Sequence, residues 1–374
     1  MDREKIIRFV RSPAIVATLL VTGGLAVTAG NAEGDRVTNQ LATAVPVQEP
    51  ATVAAPPATN RSTTGIAVKE PARATAPPAP TDLRAPFIVQ VGEILIPYRV
   101  FAIYVDPGET VSIDTLFDET TDTYDLLVNG GESEIVGDNR WRWTAPREPG
   151  LYSLVVNDAS LRNTVRIHAF VTVPLAELEG AELNGYRIGA YPAKPLRNNP
   201  RYLPPAGLVE VTEENRDTLI SPNFRLHQFL TKQGGGWPRY VALDERLILK
   251  LEQVLAAVRA EGIAAETLFI MSGYRTPFYN KRIGNVQYSR HVYGDAADVF
   301  VDVDRDNRMD DLNGDGKSDF KDADYLASIV ESLTETDPFA KPLVGGVGRY
   351  GSKPHRGPFV HVDTRGYSAQ WTSR

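Results

Sequence analysis

From residue 33 to residue 84 the chain is dominated by Ala, Pro and Thr (VPVQEPATVAAPPATNRSTTG, RATAPPAPTD) and shows no apolar periodicity. Such a segment cannot bury enough apolar surface to offset the entropy of ordering it, so it reads as a semi-extended, disordered tether. Folding is confined to the roughly 290 residues that follow, which is long for a single core, and two globular units are expected.

Ahead of the tether, Lys5, Arg8 and Arg11 precede the apolar run PAIVATLLVTGGLAVTAG and the small residues of AGNAEGD. Residues 1–32 therefore read as an export signal. The run Pro13–Gly30 sits at the upper limit for a signal core and the lower limit, about 18 residues, for a membrane span. Cleavage after Ala32 and an uncleaved membrane anchor both fit. Either way the folded part is expected in the periplasm, the cell envelope or outside the cell.

The net charge of -7 is spread along the chain, which argues against a nucleic-acid partner. There is no cysteine, so disulfides, thiolate metal ligands, cysteine nucleophiles and a lipid anchor on cysteine are all excluded. Any metal must be held by His, Asp or Glu. The histidines are His168, His227, His291, His355 and His361.

Residues 85–175 switch to short β-rich runs (FIVQV, EILIPYRVFAIYV, TVSI, YDLLV, RWRWTA, LYSLVV, VRIHAFVTV) separated by DPGE, NGGE, REPG and NDAS. Turn residues at that spacing predict a small all-β sandwich. Within it, TAPREPGLYSLVV resembles the late strands of bacterial immunoglobulin-like (Ig-like) modules. Trp141 and Trp143 share one strand face and are expected in packing, and His168 is expected as a packed or surface strand residue. A Pro-rich connector (176–207) leads to the last unit, 208–374. There, LDERLILKLEQVLAAVRAEG predicts a helix capped by Asp244, with Leu247, Leu251, Val254, Leu255 and Val258 on one face and Gly262 as its stop. A strand, TLFIM, follows. His227 has no liganding context and reads as structural.

The chemistry lies beyond that strand, in SGYRTPFYN, SRHVYGDAADVFV and GGVGRYGSKPHRGPFVHVDTRG. A zinc that keeps an open position usually has three protein ligands, and without thiols these must be imidazole and carboxylate. His291, Asp298 and His361 supply two nitrogens and one charge. A turn at Gly294, with the small Ala296 and Ala297, would let Asp298 return beside His291. Ser272-Gly273-Tyr274-Arg275, the His291-to-Asp298 spacing with its G-x-A-x-D, and His361 in FVHVD together resemble the M15 family of zinc D-Ala-D-Ala peptidases and murein endopeptidases.

The resemblance implies an α+β hedgehog/DD-peptidase-like catalytic domain preceded by the all-β Ig-like sandwich. It further implies one catalytic zinc on His291, Asp298 and His361, peptidoglycan stem peptides as substrate, and carboxypeptidase or endopeptidase action. Arg275 would bind a substrate carboxylate or stabilise an oxyanion. Where branches of the family carry a basic Glu or His, this chain has Pro358 and Phe359. Asp363 and His355 are the candidates for general base, with Asp363 equally placed to orient a ligand.

Directly after Asp298 comes VDVDRDNRMDDLNGDGKSDFKDADYL. Asp311, Asn313, Asp315, Gly316, Asp319 and Asp322 match a twelve-residue calcium loop, with Asp where Glu is usual at its end. Asp302, Asp304, Asp306 and Asp310 repeat the alternation, so one or two structural calcium ions are expected within 302–322. The segment resembles dockerin and thrombospondin-type calcium loops, and hedgehog domains carry calcium ligands after the corresponding Asp. Two rival functions stand beside the peptidase: a non-catalytic, metal-containing binder of wall peptide or protein, and an adhesion scaffold.

Overall fold

The computed structural model of the protein describes residues 84–116, 123–159, 162–336 and 343–374. The export segment and the tether up to residue 83 lie outside the described residues. Among those described, no helix is long and apolar enough to cross a membrane.

The chain opens with β1 (Arg84–Val91), β2 (Ile94–Tyr98), β3 (Val100–Val105), β4 (Thr110–Leu116), β5 (Tyr124–Val128), β6 (Glu132–Gly137), β7 (Arg140–Thr144), β8 (Gly150–Asp158) and β9 (Thr164–Val171). These make two sheets, ordered β2-β1-β4-β7-β6 and β3-β9-β8-β5. Period-2 alternation decides which side chains go inward. On β7, Trp141 and Trp143 are buried while Arg140 and Arg142 face solvent. Trp143 also donates its indole N–H to Gly130 O at 2.9 Å, so its one polar atom is satisfied.

Beyond β10 (Val173–Pro174), the segment read as a connector folds into β11 (Glu182–Leu183), β12 (Tyr186–Arg187) and short 3-10 turns, and it buries Tyr202. Next come β13 (Gly207–Val211), β14 (Arg239–Val241) and helix α1 (Glu245–Ala260). Asp244 caps α1 by accepting from Arg246 N at 2.8 Å, and Gly262 follows its end at φ +84°, a conformation that favours glycine. The five apolar positions read from its spacing are all buried.

Side chains of the two N-terminal sheets and of the C-terminal half belong to one continuous core. Hydrogen bonds stitch the halves: Ala102 N donates to Ile220 O and Tyr104 N to the carboxylate Oε1 of Glu245, both at 2.9 Å. His168 is one of these stitches, with Nδ1 2.8 Å from Leu219 O.

The C-terminal sheet is built from β15 (Phe269–Ser272), β16 (Ala296–Phe300), β17 (Gly346–Tyr350), β18 (Phe359–Asp363) and β19 (Ala369–Ser373), ordered β15-β16-β18-β17-β19. Helix α2 (Pro277–Arg282) follows β15, and α3 (Phe320–Thr336) packs on β17, β18 and α1. Val299, Val360, Val362 and Val347 are buried within the core. The alternate residues form one row across five strands, Ser272, Asp298, His361, Gly348 and Trp371, each in register with the next.

Candidate metal centre

Asp298 and His361 are cross-strand partners, and neighbours so paired on one sheet face are brought within contact distance by the pleat. His291 arrives from the 3-10 turn Arg290–Tyr293, which ends at Gly294 with φ +78°. A Cβ at Gly294 would lie 2.5 Å from the Ala242 carbonyl, so both the conformation and the close approach require glycine. Ala296 and Ala297 are fully buried, as their small size allows. His291 Nε2 lies 3.1 Å from Asp298 Oδ1 and 3.1 Å from His361 Nδ1, and His361 Nδ1 lies 2.9 Å from Asp298 Oδ1.

Two outer contacts set the tautomers. His291 Nδ1 is 2.7 Å from Gly273 O and must donate to it, leaving Nε2 as the inward lone pair. His361 Nε2 is 3.1 Å from Asp363 Oδ2 and donates there, leaving Nδ1 inward. Two lone pairs and a carboxylate oxygen thus converge on one point, an arrangement that needs a cation or an extra proton between them. Burial pushes the His291 imidazole down in pKa and so opposes that proton. Burial acts the same way on His361, but its bonds to Asp298 and Asp363 outweigh it and hold that imidazole up. Burial alone would raise Asp298, yet the two imidazoles hold it well below the carboxylate range. Tetrahedral zinc bonds of about 2.0–2.1 Å place ligand atoms roughly 3.3 Å apart, so this donor set fits zinc with a few tenths of an ångström of relaxation.

Arg275 is nearly buried, and it donates from Nη2 to Asp298 Oδ2 at 2.6 Å and from Nε to Ser272 Oγ at 2.9 Å. The cation therefore also fixes the carboxylate plane of Asp298. Among the described residues nothing accepts from its Nη1, and Arg275 lines the cleft above the three ligand atoms.

The two candidates for general base both lie outside the lining of the cleft. Asp363 is fully buried, does not line the cleft and has both oxygens engaged. Oδ1 accepts from Gly346 N at 2.7 Å and from Arg365 N at 3.0 Å, while Oδ2 accepts from His361 and ion-pairs with Arg365. Burial would raise its carboxyl, but its bonds to His361 and Arg365 hold it far below the ordinary range, and the bond to His361 places it to orient that imidazole. His355 is exposed in the loop before β18 and does not line the cleft.

The cleft, of about 960 Å³, has walls that the motifs did not announce. Tyr202 comes from the segment read as a connector. Its ring lies under the Arg290 guanidinium at 4.5 Å, and Arg290 is itself paired with the buried Asp295. Trp371 packs beside His361, ring centroids 5.2 Å apart, in space that a Cβ on Gly348 would invade at 2.5 Å. The Gly-rich run before Arg349 was the available signal, since glycine in mid-strand marks a close approach. Arg197, Arg275, Arg290 and Arg365 line the cleft, and Asp298 is its single acidic lining residue among those described.

The acidic insertion is placed differently from the expected loop. Among the described residues, the carboxylates gathered within 4.8 Å there are Asp302, Asp304 and Asp310, and those of 311–322 form no such group. Asp322 is fully buried and accepts from Leu312 N, Asn313 N and Asp319 N, so it caps the loop and the start of α3. Asp311 accepts from Gly314 N, Asp315 N and Gly316 N, Asn313 from Asp315 N and Asp319 from Lys321 N, while Asp315 pairs with Lys321. Asp306 accepts from Arg308 N and is not part of the gathered group.

The sequence model of the family described as Peptidase M15 matches residues 202–313, a stretch that contains Arg275, His291 and Asp298 and stops before His361. No curated protein and no solved structure gives a match. The match supports a peptidase of this kind and, with it, a metal-dependent hydrolase.

Proposed function

We propose that the protein is an exported zinc peptidase that hydrolyses amide bonds involving D-amino acids in the peptide part of bacterial peptidoglycan. The carrying observation is the convergence of His291 Nε2, His361 Nδ1 and Asp298 Oδ1, with fixed tautomers, in an open cleft. Zinc there supplies a Lewis acid and an activated water. The chain's residues do the rest. Gly273 O and Asp363 hold the imidazoles, and Arg275 holds Asp298 and offers its remaining N–H groups to a substrate carboxylate or developing oxyanion.

The catalytic part takes the hedgehog/DD-peptidase-like arrangement, and the two N-terminal sheets act as an Ig-like carrier on the tether. Asp302, Asp304 and Asp310 hold a structural calcium. Burial, together with the neighbouring Asp304 and Asp302, pushes the Asp310 carboxyl up, as expected of carboxylates that a cation would relieve.

A second reading, a metal-containing binder without turnover, is favoured by one observation: among the described residues no Glu, and no His beyond the two ligands, lines the cleft. Incubating the zinc-loaded protein with muropeptides and reading products by mass spectrometry separates the two. Released peptide or D-amino acid supports the peptidase, and binding without product replaces it with the binder. Absence of zinc from protein purified without chelator removes both.

A further inference from the structure

Tyr350 lies on the face of the C-terminal sheet that carries Asp298 and His361. Gly348, two residues before it, pairs in register with His361 on one side and Trp371 on the other, and period-2 alternation returns Tyr350 to the same face. Gly348 leaves a gap there, and the Trp371 indole lies across it, where a Cβ would stand 2.5 Å from the ring. The indole thereby reaches Tyr350, and its Nε1 donates to Tyr350 Oη at 2.8 Å. The Tyr350 ring also stacks on Phe359, with centroids 4.5 Å apart and planes 4° apart. These two contacts fix where the hydroxyl sits.

An indole N–H can only donate, so Tyr350 Oη is the acceptor in that bond and keeps its own proton to give. Among the described residues nothing accepts that proton. Tyr350 lines the cleft together with Arg275, Asp298, His361 and Trp371. Burial, reinforced by the Asp298 carboxylate, pushes the phenol above its ordinary pKa, so at neutral pH it is a donor and not a base.

We propose that Tyr350 is a catalytic residue, whose hydroxyl donates a hydrogen bond to the scissile carbonyl oxygen as water adds to the carbonyl carbon, and that Trp371 positions it. The inference rests on the peptidase reading above and deepens it. As water adds, the π electron pair of the carbonyl moves onto its oxygen, and a donor already held in place meets that charge without reorganisation. Arg275 follows β15 and Tyr350 ends β17, with Asp298 on β16 and His361 on β18 between them in the strand order. A charged donor and a neutral one thus flank the metal ligands.

Tyr350→Phe keeps the ring on Phe359 and removes only the hydroxyl. The full chain, zinc-loaded, is assayed on muropeptides by mass spectrometry and titrated by calorimetry with a phosphinate pseudodipeptide of D-Ala-D-Ala, which carries a tetrahedral anionic centre. We expect kcat to fall by about 100-fold with KM within about threefold, and phosphinate affinity to fall by a like factor, with zinc content unchanged. Trp371→Phe, which removes the indole N–H, should lower kcat by about tenfold and add little to Tyr350→Phe. Wild-type turnover and phosphinate affinity in Tyr350→Phe overturn the donor, as does a loss confined to KM or one that follows loss of zinc. Additive effects of the two substitutions overturn the positioning role of Trp371. If wild-type protein releases no product, the peptidase reading fails and the phosphinate alone decides. Tighter binding by wild type than by Tyr350→Phe then supports the donor, and equal or absent binding overturns it.

Discussion

Two carboxylate-bearing regions follow one another on the chain, the His291–Asp298–His361 centre and the Asp302–Asp322 insertion, and they are built on opposite principles. In the first, the sheet register and two outer acceptors aim every donor atom at one point and leave none satisfied by its neighbours. In the second, most carboxylates accept backbone N–H groups of their own loop. A carboxylate in a turn can meet its needs locally, as Asp and Asn do in turns generally. One held mid-strand beside two imidazoles cannot. Rigid elements make a centre that demands a cation, whereas a loop of the same composition can stand without one.

The largest effect expected from this contrast is at the centre. His361→Ala or His291→Ala should abolish stoichiometric zinc, read by elemental analysis, and bring turnover to background. Retention of full zinc by either variant breaks the comparison. Arg275→Ala comes next. With the oxyanion or carboxylate partner gone, turnover should fall by about 100-fold or more. Because Arg275 also holds Asp298, zinc affinity should fall by roughly tenfold, the scale of an orienting contact, in competition with a chromogenic chelator.

Asp363→Asn should weaken zinc by about 10- to 100-fold while folded protein keeps measurable turnover. Complete loss of activity with zinc retained would instead restore Asp363 as the proton acceptor. The smallest effect belongs to the insertion. Millimolar calcium should raise Tm by a few degrees, since a ligand present at about 10 times its Kd adds roughly 1.4 kcal/mol. Asp302→Ala with Asp304→Ala should erase the shift, and Asp311→Ala with Asp315→Ala should leave most of it. The reverse order would return the ion to the 311–322 loop.

Much of the architecture was legible because it is periodic. The Trp141–Trp143 alternation, the apolar face of α1 with its Asp244 cap, and the turn at Gly294 are patterns within a few residues of each other, where strand and helix geometry act directly. The gathering of His291, Asp298 and His361 into one group could also be expected from the chain, from the order and spacing of their motifs and from the lack of cysteine as another metal-binding type.

What the sequence could not decide is everything that depends on a distant partner. That the oxygens of Asp363 are claimed by Gly346 N and Arg365 shows only in the fold. Which nitrogen of His291 faces inward was settled by Gly273 O, at the end of another strand. The segment 176–207 read as a connector because its prolines break both periodicities. Only the packing of Tyr202 under Arg290, and the bond from Arg201 to Thr364 O, turned it into a wall of the cleft. Local sequence fixes backbone form and the inventory of donors. The protonation state and the job of each donor are set by what the tertiary fold places beside it, since hydrogen bonding and burial act through space and leave no period in the chain.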